Sequence, residues 1–311
     1  MAFYKILSQV SVLFLLIAVG YLTGKLRLLT DRGVKELTDL LIYIVSPVVI
    51  IFSFQLPFTK ARASGLLIST LAAFGVHIFG IALATFVLNR RTVPDEERRR
   101  VLRFGAVYSN SGFMGLPLLD ALAGTEGVFY GSVYMVVFNI FCWTHGYALF
   151  TGKGDKKSYL KALYNPNLIA VIIGMFFFFL SIRLPGPVDS GLQYLYNLNT
   201  PLSMLIIGNR LSQFKLRRLF LDRWIWPGIA LRNLVIPAAL VGALHLCGLR
   251  GTMLLCCSLS AACPVAANTV LFAELTGKST EFPTKLMMVS TFLCIGTIPL
   301  IVALGTSLSG L

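Results

Sequence analysis

The chain alternates between long apolar runs and short polar connections. Ten of these runs approach the roughly 20 residues that an α-helix needs to cross a bilayer. They cover residues 6–24, 37–56, 64–88, 102–122, 128–150, 164–182, 188–209, 224–247, 252–275 and 284–306, and we call them spans 1 to 10 in that order. Because the connections are short, we predict an all-α membrane protein of ten transmembrane helices without a separate soluble domain.

The composition agrees with this pattern. Hydrophobic residues make up 56% of the chain and charged residues 13%, whereas soluble domains carry about 25% charged residues. Span 1 could instead be a secretory signal peptide, but Gly24-Lys25-Leu26-Arg27 follows it in place of a small-residue cleavage site. We therefore interpret span 1 as a retained membrane helix.

The net charge of +14 would suit a nucleic-acid-binding protein, but the placement of the charges indicates a membrane topology instead. Most Lys and Arg residues fall in the connections after spans 1, 3, 5, 7 and 9. Arg232 lies inside span 8, and those on the opposite side are Lys5, Lys60, Arg62, Arg183 and Arg250. Cytoplasmic loops are the ones enriched in Lys and Arg. We expect a plasma-membrane protein with both termini outside, which contacts anionic lipid and binds no nucleic acid.

Landmark residues recur at a constant offset along the chain. Gly20 coincides with Gly174, Pro47 with Pro201, and Asn110 with Pro264. The offset divides the chain into two halves of five spans, residues 1–152 and 153–311, and an odd number of spans forces the halves into opposite orientations. Chance matching among apolar segments rich in Gly and Pro is the alternative. We predict an inverted-topology repeat, an arrangement common among secondary transporters.

Two spans contain residues that are poorly suited to an uninterrupted helix. Span 4 contains Ser109-Asn110-Ser111-Gly112-Phe113-Met114-Gly115-Leu116-Pro117, and span 9 contains Ser258-Leu259-Ser260-Ala261-Ala262-Cys263-Pro264-Val265-Ala266-Ala267-Asn268-Thr269. Proline removes a backbone hydrogen bond and frees a carbonyl one turn earlier. Non-helical backbone persists at membrane depth only where protein buries it or where it lines a watery cavity. We therefore predict that both spans break within the membrane.

Broken spans at matching places of a repeat favour a transport site. If they cross, two half-helix N-termini, each carrying about half a positive charge, face one point and stabilise an anion with free N–H groups. Asparagine side chains can both donate and accept hydrogen bonds there. The predicted substrate site comprises Ser109, Asn110, Ser111, Gly112, Pro117, Pro264, Ala267 and Asn268. The alternative is a pair of ordinary kinked spans that pack through small residues.

These segments resemble those of a known family. Asn110-x-x-x-Met114-Gly115-x-Pro117 is similar to the N-x-x-x-M-G-x-P segment of the auxin efflux carrier family, and Pro264-Val265-Ala266-Ala267-Asn268 to the P-x-A-A-N of its bacterial members. Ser46-Pro47 and Thr200-Pro201 resemble the prolines of its helices 2 and 7. The resemblance extends over essentially the whole chain. The short middle connection, about residues 151–163, is typical of the compact bacterial and archaeal branch.

The resemblance implies ten helices in two inverted repeats, with helices 4 and 9 crossing at their breaks. It implies a scaffold domain of helices 1, 2, 6 and 7, to which Pro47 and Pro201 belong, and a transport domain of helices 3–5 and 8–10. It also implies organic-anion substrates: malate, malonate or other carboxylates in bacteria, and auxin in plants. By position, Asn110 matches the family's crossover asparagine, and Pro117 and Pro264 match its crossover prolines.

Three further polar residues are candidates for the transport machinery. Arg232 is expected to face protein or water because a mid-span arginine is costly; it could bind a substrate carboxylate or take part in a structural pairing. His77 could serve ion coupling because histidine titrates near neutrality, but a hydrogen-bonded core histidine is the favoured interpretation. Glu274 could be a coupling carboxylate, but an ion pair with Lys278 is favoured. No acidic residue is expected firmly at the midplane.

We predict a secondary carrier of small organic anions that works by alternating access, and a sodium- or proton-coupled symporter of the bile-acid-transporter type is the alternative. A membrane enzyme or receptor finds no support, because the sequence contains no nucleophile–base pair and no G-K-S/T phosphate loop. The six cysteines show no metal-binding spacing. We expect no cofactor and no metal. The oligomeric state stays open, with a homodimer as one alternative.

Overall fold

The structure is a computed structural model that describes residues 2–152, 164–213 and 220–309. Its helices are α1 (Ala2–Lys25), α2 (Asp31–Ser53), α3 (Lys60–Val87), α4 (Glu96–Val107), α5 (Ser111–Thr151), α6 (Pro166–Phe179), α7 (Gly186–Ser212), α8 (Ile225–Leu246), α9 (Gly251–Ala262), α10 (Asn268–Leu275) and α11 (Glu281–Ser309). The predicted boundary at 152/153 lies outside the described residues. So do the basic loop residues Lys153, Lys156, Lys157, Lys161, Lys215, Arg217 and Arg218.

Within the described ranges, five helices are long and apolar enough to cross a membrane, namely α2, α3, α5, α8 and α11. Shorter apolar stretches occur in α1, α6 and α9. Helix α7 has 27 residues but is more polar, because it buries Asn199, Ser203 and Asn209 against its neighbours. The all-helical class is therefore confirmed for the part of the chain described, and the ten-span arrangement stays a prediction.

Helix α5 folds back on itself at Gly124. Its 41 residues would extend about 60 Å if straight, twice the hydrocarbon thickness of a bilayer. Gly124 has φ +59° and ψ −154°, a conformation that glycine adopts without the clash of a side chain. The two limbs, residues 111–123 and 125–151, then pack so closely that a Cβ at Gly127 would lie 2.6 Å from the Leu119 carbonyl oxygen. The turn falls between predicted spans 4 and 5.

Widened helical turns precede three prolines. They are Leu41–Val45 before Pro47 in α2, Ser111–Gly115 before Pro117 in α5, and Leu231–Val235 before Pro237 in α8. Proline lacks an N–H and its ring crowds the carbonyl four residues earlier. One extra residue in the preceding turn relieves that crowding, which produces the π geometry. The turns in α5 and α8 lie at the functional site described below.

Close contacts link α1 to α7, and α2 to both α6 and α7. A Cβ at Gly20 or Gly208 would overlap the backbone of the facing helix, so glycine at both positions allows α1 and α7 to approach. Helix α2 packs on both α6 and α7, and its Phe54 fills the space beside Gly174 of α6. These contacts link the four helices of the predicted scaffold. The division into scaffold and transport domains stays a prediction.

Candidate functional site

The chain leaves helical geometry twice inside apolar segments, and the two breaks lie against each other. Residues 108–110 separate α4 from α5, and residues 263–267 separate α9 from α10. The Asn110 N–H donates to the Pro264 carbonyl at 2.7 Å, and the Ala266 N–H donates to the Tyr108 carbonyl at 2.9 Å. These bonds form an isolated antiparallel bridge. We call the paired segments the crossover; its Asn110 and Pro264 are counterparts at the sequence offset.

Two cavities flank the crossover and share Asn110, Phe113 and Leu271 in their walls. The larger, of about 500 Å³, is named the amide cavity after Asn110, Asn139, Asn165, Asn167 and Asn268. None of its described lining residues is charged, and its walls include the rings of Phe138 and Trp143. The smaller, of about 350 Å³, is named the Arg210 cavity and also contains Glu274.

Two half-helices begin where the cavities meet the crossover, α5 at Ser111 and α10 at Asn268. N–H groups in a first helical turn lack partners within the helix. Gly112 and Phe113, in the first turn of α5, line the amide cavity. The cavity therefore receives backbone donors at a helix end that carries partial positive charge.

The asparagines nearest the breaks have unused hydrogen-bonding capacity. The Asn110 side chain is partly exposed and makes no hydrogen bond to any described residue. The Asn268 amide donates only to the Cys142 thiol at 3.4 Å, and sulfur is a weak acceptor. By contrast, the Asn167 side-chain oxygen accepts from the Ser46 hydroxyl at 2.9 Å. Free amides of this kind can bind a ligand without first breaking a bond within the protein.

The other face of the crossover is buried, and we call it the dry face. The π turn in α8 directs Arg232 and Asn233 there, each 1% exposed. Arg232 Nη1 donates to the carbonyls of Ala106 at 3.1 Å and Val107 at 2.8 Å, and Nη2 donates to the Ala261 carbonyl. A second chain of bonds runs from the Val265 N–H to the Ser290 hydroxyl at 3.0 Å, and from that hydroxyl to Asn233 Oδ1 at 2.6 Å.

A polar contact lies beyond the crossover, towards the Gly124 turn. The Tyr196 hydroxyl of α7 donates to the Asp120 carboxylate of α5. The Phe52 ring of α2 packs on Tyr196 with ring centroids 5.1 Å apart. This contact joins the first limb of α5 to helices α2 and α7.

Comparison with known proteins decides the family. A family model described as "Membrane transport protein" matches residues 5–302, nearly the whole chain. The chain belongs to this family, the auxin efflux carriers. The resemblance drawn from the sequence motifs is thereby confirmed.

Two archaeal relatives extend this result. A protein of Methanothermobacter thermautotrophicus is 25% identical over 289 residues, which cover 92% of this chain and 93% of the relative. One of Methanocaldococcus jannaschii is 24% identical over 306 residues, covering 96% and 97%. Both carry the name uncharacterized transporter. With its several apolar helices, the carrier is a multi-pass membrane transporter.

The carrier's predicted substrate-site residues divide into two groups. Ser109, Asn110, Gly112, Ala267 and Asn268 line one or both cavities. Ser111, Pro117 and Pro264 are not among the described lining residues. Pro264 shapes the crossover through its carbonyl, Pro117 follows the π turn of α5, and Ser111 is buried.

Arg232 and His77 are not among the described residues that line either cavity. The bonds of Arg232 go to backbone carbonyls, which is the geometry of the structural pairing, one of the two roles that the sequence left open. His77 Nδ1 pairs with the Ala73 carbonyl at 2.8 Å, and its ring stacks on Phe141 with centroids 5.3 Å apart. This is the geometry of a hydrogen-bonded core histidine.

Glu274 lines the Arg210 cavity, but the ion pair expected with Lys278 is not formed between these two residues. The expectation was wrong because it assumed a continuous helix. Helix α10 ends at Leu275, and Gly277 turns the chain away with φ +66°. Lys278 therefore does not lie one helical turn above Glu274. Of the two predicted scaffold prolines, Pro47 follows the π turn of α2 and Pro201 lies inside α7.

Sequence reasoning missed the asparagines that complete the amide cavity. Asn139 is a polar residue within span 5, and Asn165 and Asn167 flank a proline at the start of span 6. Each of these signals could have marked a polar lining. Asp120 was missed as well: it lies near the end of span 4, and the expectation of no midplane acid passed over its pairing with Tyr196.

Proposed function

We propose that this carrier is a secondary transporter of small organic anions that works by alternating access at the crossover. The observation that carries the proposal is the side chain of Asn110, which lies between two cavities at the start of a half-helix and makes no hydrogen bond to the described residues. A polar side chain that faces a cavity at a helix break and has no partner in the protein is free to bind a ligand.

An anionic substrate fits the chemistry of the amide cavity. Its described walls contain amides, one hydroxyl near the break and aromatic rings, but no fixed charge. The N-termini of α5 and α10 supply about half a positive charge each, and the N–H groups of Gly112 and Phe113, which bond no described carbonyl, can bind a carboxylate as such groups bind other anions. Small carboxylates such as malate or malonate, and auxin-like acids with a ring for the aromatic wall, are the substrates we propose.

The position of the cavities supports alternating access. The Arg210 cavity is bounded by Thr38 near the start of α2, Gln213 after α7 and Thr284 near the start of α11. These helix ends carry the basic connections, which the positive-inside rule assigns to the cytoplasm. The Asp120–Tyr196 contact closes the opposite side. With both termini outside the plasma membrane, the cavities would face the cytoplasm and that contact would open in the other half of the cycle.

Uptake into proteoliposomes tests the proposal. Radiolabelled malonate, malate and indole-3-acetate are the probes, and we expect saturable uptake of at least one, competed by unlabelled carboxylates. Asn110→Ala should abolish most of this uptake, whereas Asn197→Ala, at an exposed position of α7, should not. Uptake of none of the three acids above the level of protein-free vesicles would refute the proposed substrate class.

Ion coupling is the point on which the alternative differs. Glu274 on the wall of the Arg210 cavity is the observation that favours a coupled symporter, since a carboxylate beside the pathway can bind a cation or a proton. Replacing sodium by potassium, and collapsing the pH gradient, should leave the uptake rate unchanged in a uniporter. A rate that falls severalfold on either change would establish the coupled mechanism.

A further inference from the structure

The breaks at the crossover free several backbone carbonyls, and one side chain binds three of them. In a continuous helix, the carbonyls of Ala106 and Val107 would accept from N–H groups four residues later. The N–H of Asn110 instead donates to Pro264, and the N–H of Ser111 donates to Ser109. The carbonyls of Ala106, Val107 and Ala261 are three of the freed groups, and the Arg232 guanidinium donates to each.

The second break also leaves backbone groups without their helical partners. The Ala261 carbonyl would accept from the Val265 N–H in an unbroken α9, but that N–H donates to the Ser290 hydroxyl at 3.0 Å. Arg232 and Asn233 are neighbours in the π turn of α8. The π turn of α8 therefore supplies a donor to the Ala261 carbonyl through Arg232. Through Asn233 it also holds the Ser290 hydroxyl that accepts from the Val265 N–H.

The charge of Arg232 is balanced without a carboxylate. No described Asp or Glu forms an ion pair with it, although the side chain is 1% exposed. Its nitrogens contact the C-terminal ends of α4 and α9, and each helix C-terminus carries about half a negative charge. Two such ends together offset one positive charge. A guanidinium has separate nitrogens in a fixed fork and can reach both helices, whereas an ammonium is a point charge.

We propose that Arg232 is the positioning residue of the crossover. Its guanidinium binds the C-terminal ends of α4 and α9 on the dry face. These bonds hold the first turns of α5 and α10 at a fixed separation on the cavity face. Arg232 acts on the substrate only through this geometry and does not touch it. The proposal rests on the proposed function for its transport readout, but its structural readout is independent of any substrate.

Hydrogen exchange of the purified carrier supplies the structural readout. Peptides covering residues 104–115 and 258–270 report the two N–H groups that bond across the crossover. In Arg232→Met, which keeps the length but not the charge, these peptides should exchange about tenfold faster or more, the loss expected when buried carbonyls lose charged donors. Arg223→Met, at an exposed arginine before α8, is the matched control and should leave exchange unchanged.

Chemical rescue separates positioning from packing. In Arg232→Ala, guanidinium chloride at low millimolar concentration should restore slow exchange and the uptake of whichever labelled acid the unmodified carrier transports. Urea, which has a similar shape without charge, and sodium chloride should not. If Arg232→Ala fails to fold, Arg232→Lys takes its place: one ammonium should protect one break more than the other, so that the two peptides diverge.

Three results would overturn the proposal. They are unchanged exchange in Arg232→Met, rescue by urea as effective as rescue by guanidinium, and equal protection of both breaks in Arg232→Lys. A carrier that transports none of the three labelled acids but shows the expected exchange pattern would refute the proposed substrate class and leave the role of Arg232 supported. The two failures are therefore distinguishable.

Discussion

The two faces of the crossover are made from the same pair of broken helices but treat their polar groups in opposite ways. On the cavity face, Asn110 makes no hydrogen bond to the described residues, and Asn268 has only a thiol. On the dry face, Arg232 and Asn233 are buried and bonded to backbone and side chains, and of their side-chain nitrogens and oxygens only Arg232 Nε lacks a partner. A helix break inside a membrane protein creates polar groups that need partners. The face where partners are missing is the one at which we propose that a ligand binds.

The sharpest test of this contrast is Asn110→Ala. The substitution removes no bond within the described protein, so the melting temperature in detergent should stay unchanged. Uptake at a subsaturating concentration of the transported acid should fall about 50-fold, since a hydrogen bond to a charged group contributes about 1.5–3 kcal/mol. Loss of stability without loss of uptake would reverse the assignment of the two faces.

Ser290→Ala examines the dry face and should do the opposite. It leaves the Val265 N–H buried without an acceptor, which should lower the free energy of unfolding by about 2 kcal/mol. The KM of transport should stay within about twofold of the original, because Ser290 touches neither cavity. Thermal unfolding and uptake kinetics measure the two effects.

The control for this variant is Ser132→Ala. The Ser132 hydroxyl is equally buried but bonds only the carbonyl one helical turn earlier. We expect a change of about 0.5 kcal/mol or less. Equal destabilisation by the two substitutions would show that the dry face has no special dependence on its hydrogen-bond chain.

Tyr196→Phe should shift the conformational balance by a smaller amount. It removes the bond to Asp120, worth about 1 kcal/mol, and should raise the population of the state that is open on that side about fivefold. The readout is labelling by a membrane-impermeant maleimide of a cysteine at Leu184, which lines a surface depression on that side. Exposed Cys247 is first replaced by serine to remove background labelling.

Tyr194→Phe is the matched control, because Tyr194 is exposed on the same helix. Its labelling rate should equal that of the parent. If Tyr196→Phe also leaves labelling unchanged, the Asp120–Tyr196 contact does not hold that side closed.

The smallest effect is expected for Arg210→Gln. Arg210 lines the cavity beside the crossover and lies 4.0 Å from Asp31, so it should attract an anion into the cavity rather than bind it at the break. The initial uptake rate at low ionic strength should fall about twofold to threefold, and the difference should vanish near 0.5 M salt, where charges are screened. Arg223→Gln, at an exposed arginine, is the control and should leave the uptake rate unchanged. If Arg210→Gln lowers uptake equally at all salt concentrations, Arg210 belongs to the binding site itself.

The features of the fold that depend on local sequence could be predicted. The length of the apolar runs predicted membrane helices, and five of these stand out clearly by length and hydropathy among the described residues. The proline- and glycine-rich segments predicted the breaks, and residues 108–110 and 263–267 are non-helical. Both succeed because they depend on neighbours in the chain: hydrophobicity needs no partner, and proline disrupts only its own turn.

Predictions that depended on which residues contact each other were wrong or incomplete. The ion pair of Glu274 with Lys278 failed because α10 ends before it, a boundary set by Gly277. The amide cavity was overlooked because Asn139 and Asn165 are far from the breaks in sequence, although the fold brings them to one wall. The role of Arg232 was left open between substrate and structure, since a charge within a span indicates only that something must satisfy it.

By itself, the sequence determined that this chain is a membrane protein of the auxin efflux carrier family with two helices that cannot run uninterrupted. Those properties come from apolar length and from residues that break helices, and they are local. Only the tertiary structure decided which polar groups are satisfied. Arg232 donates hydrogen bonds to carbonyls that lie 126, 125 and 29 residues away in sequence, whereas the Asn110 side chain makes no hydrogen bond to a described residue. Which donors meet which acceptors depends on how distant helices pack, and that packing leaves the Asn110 side chain available for the ligand that we propose.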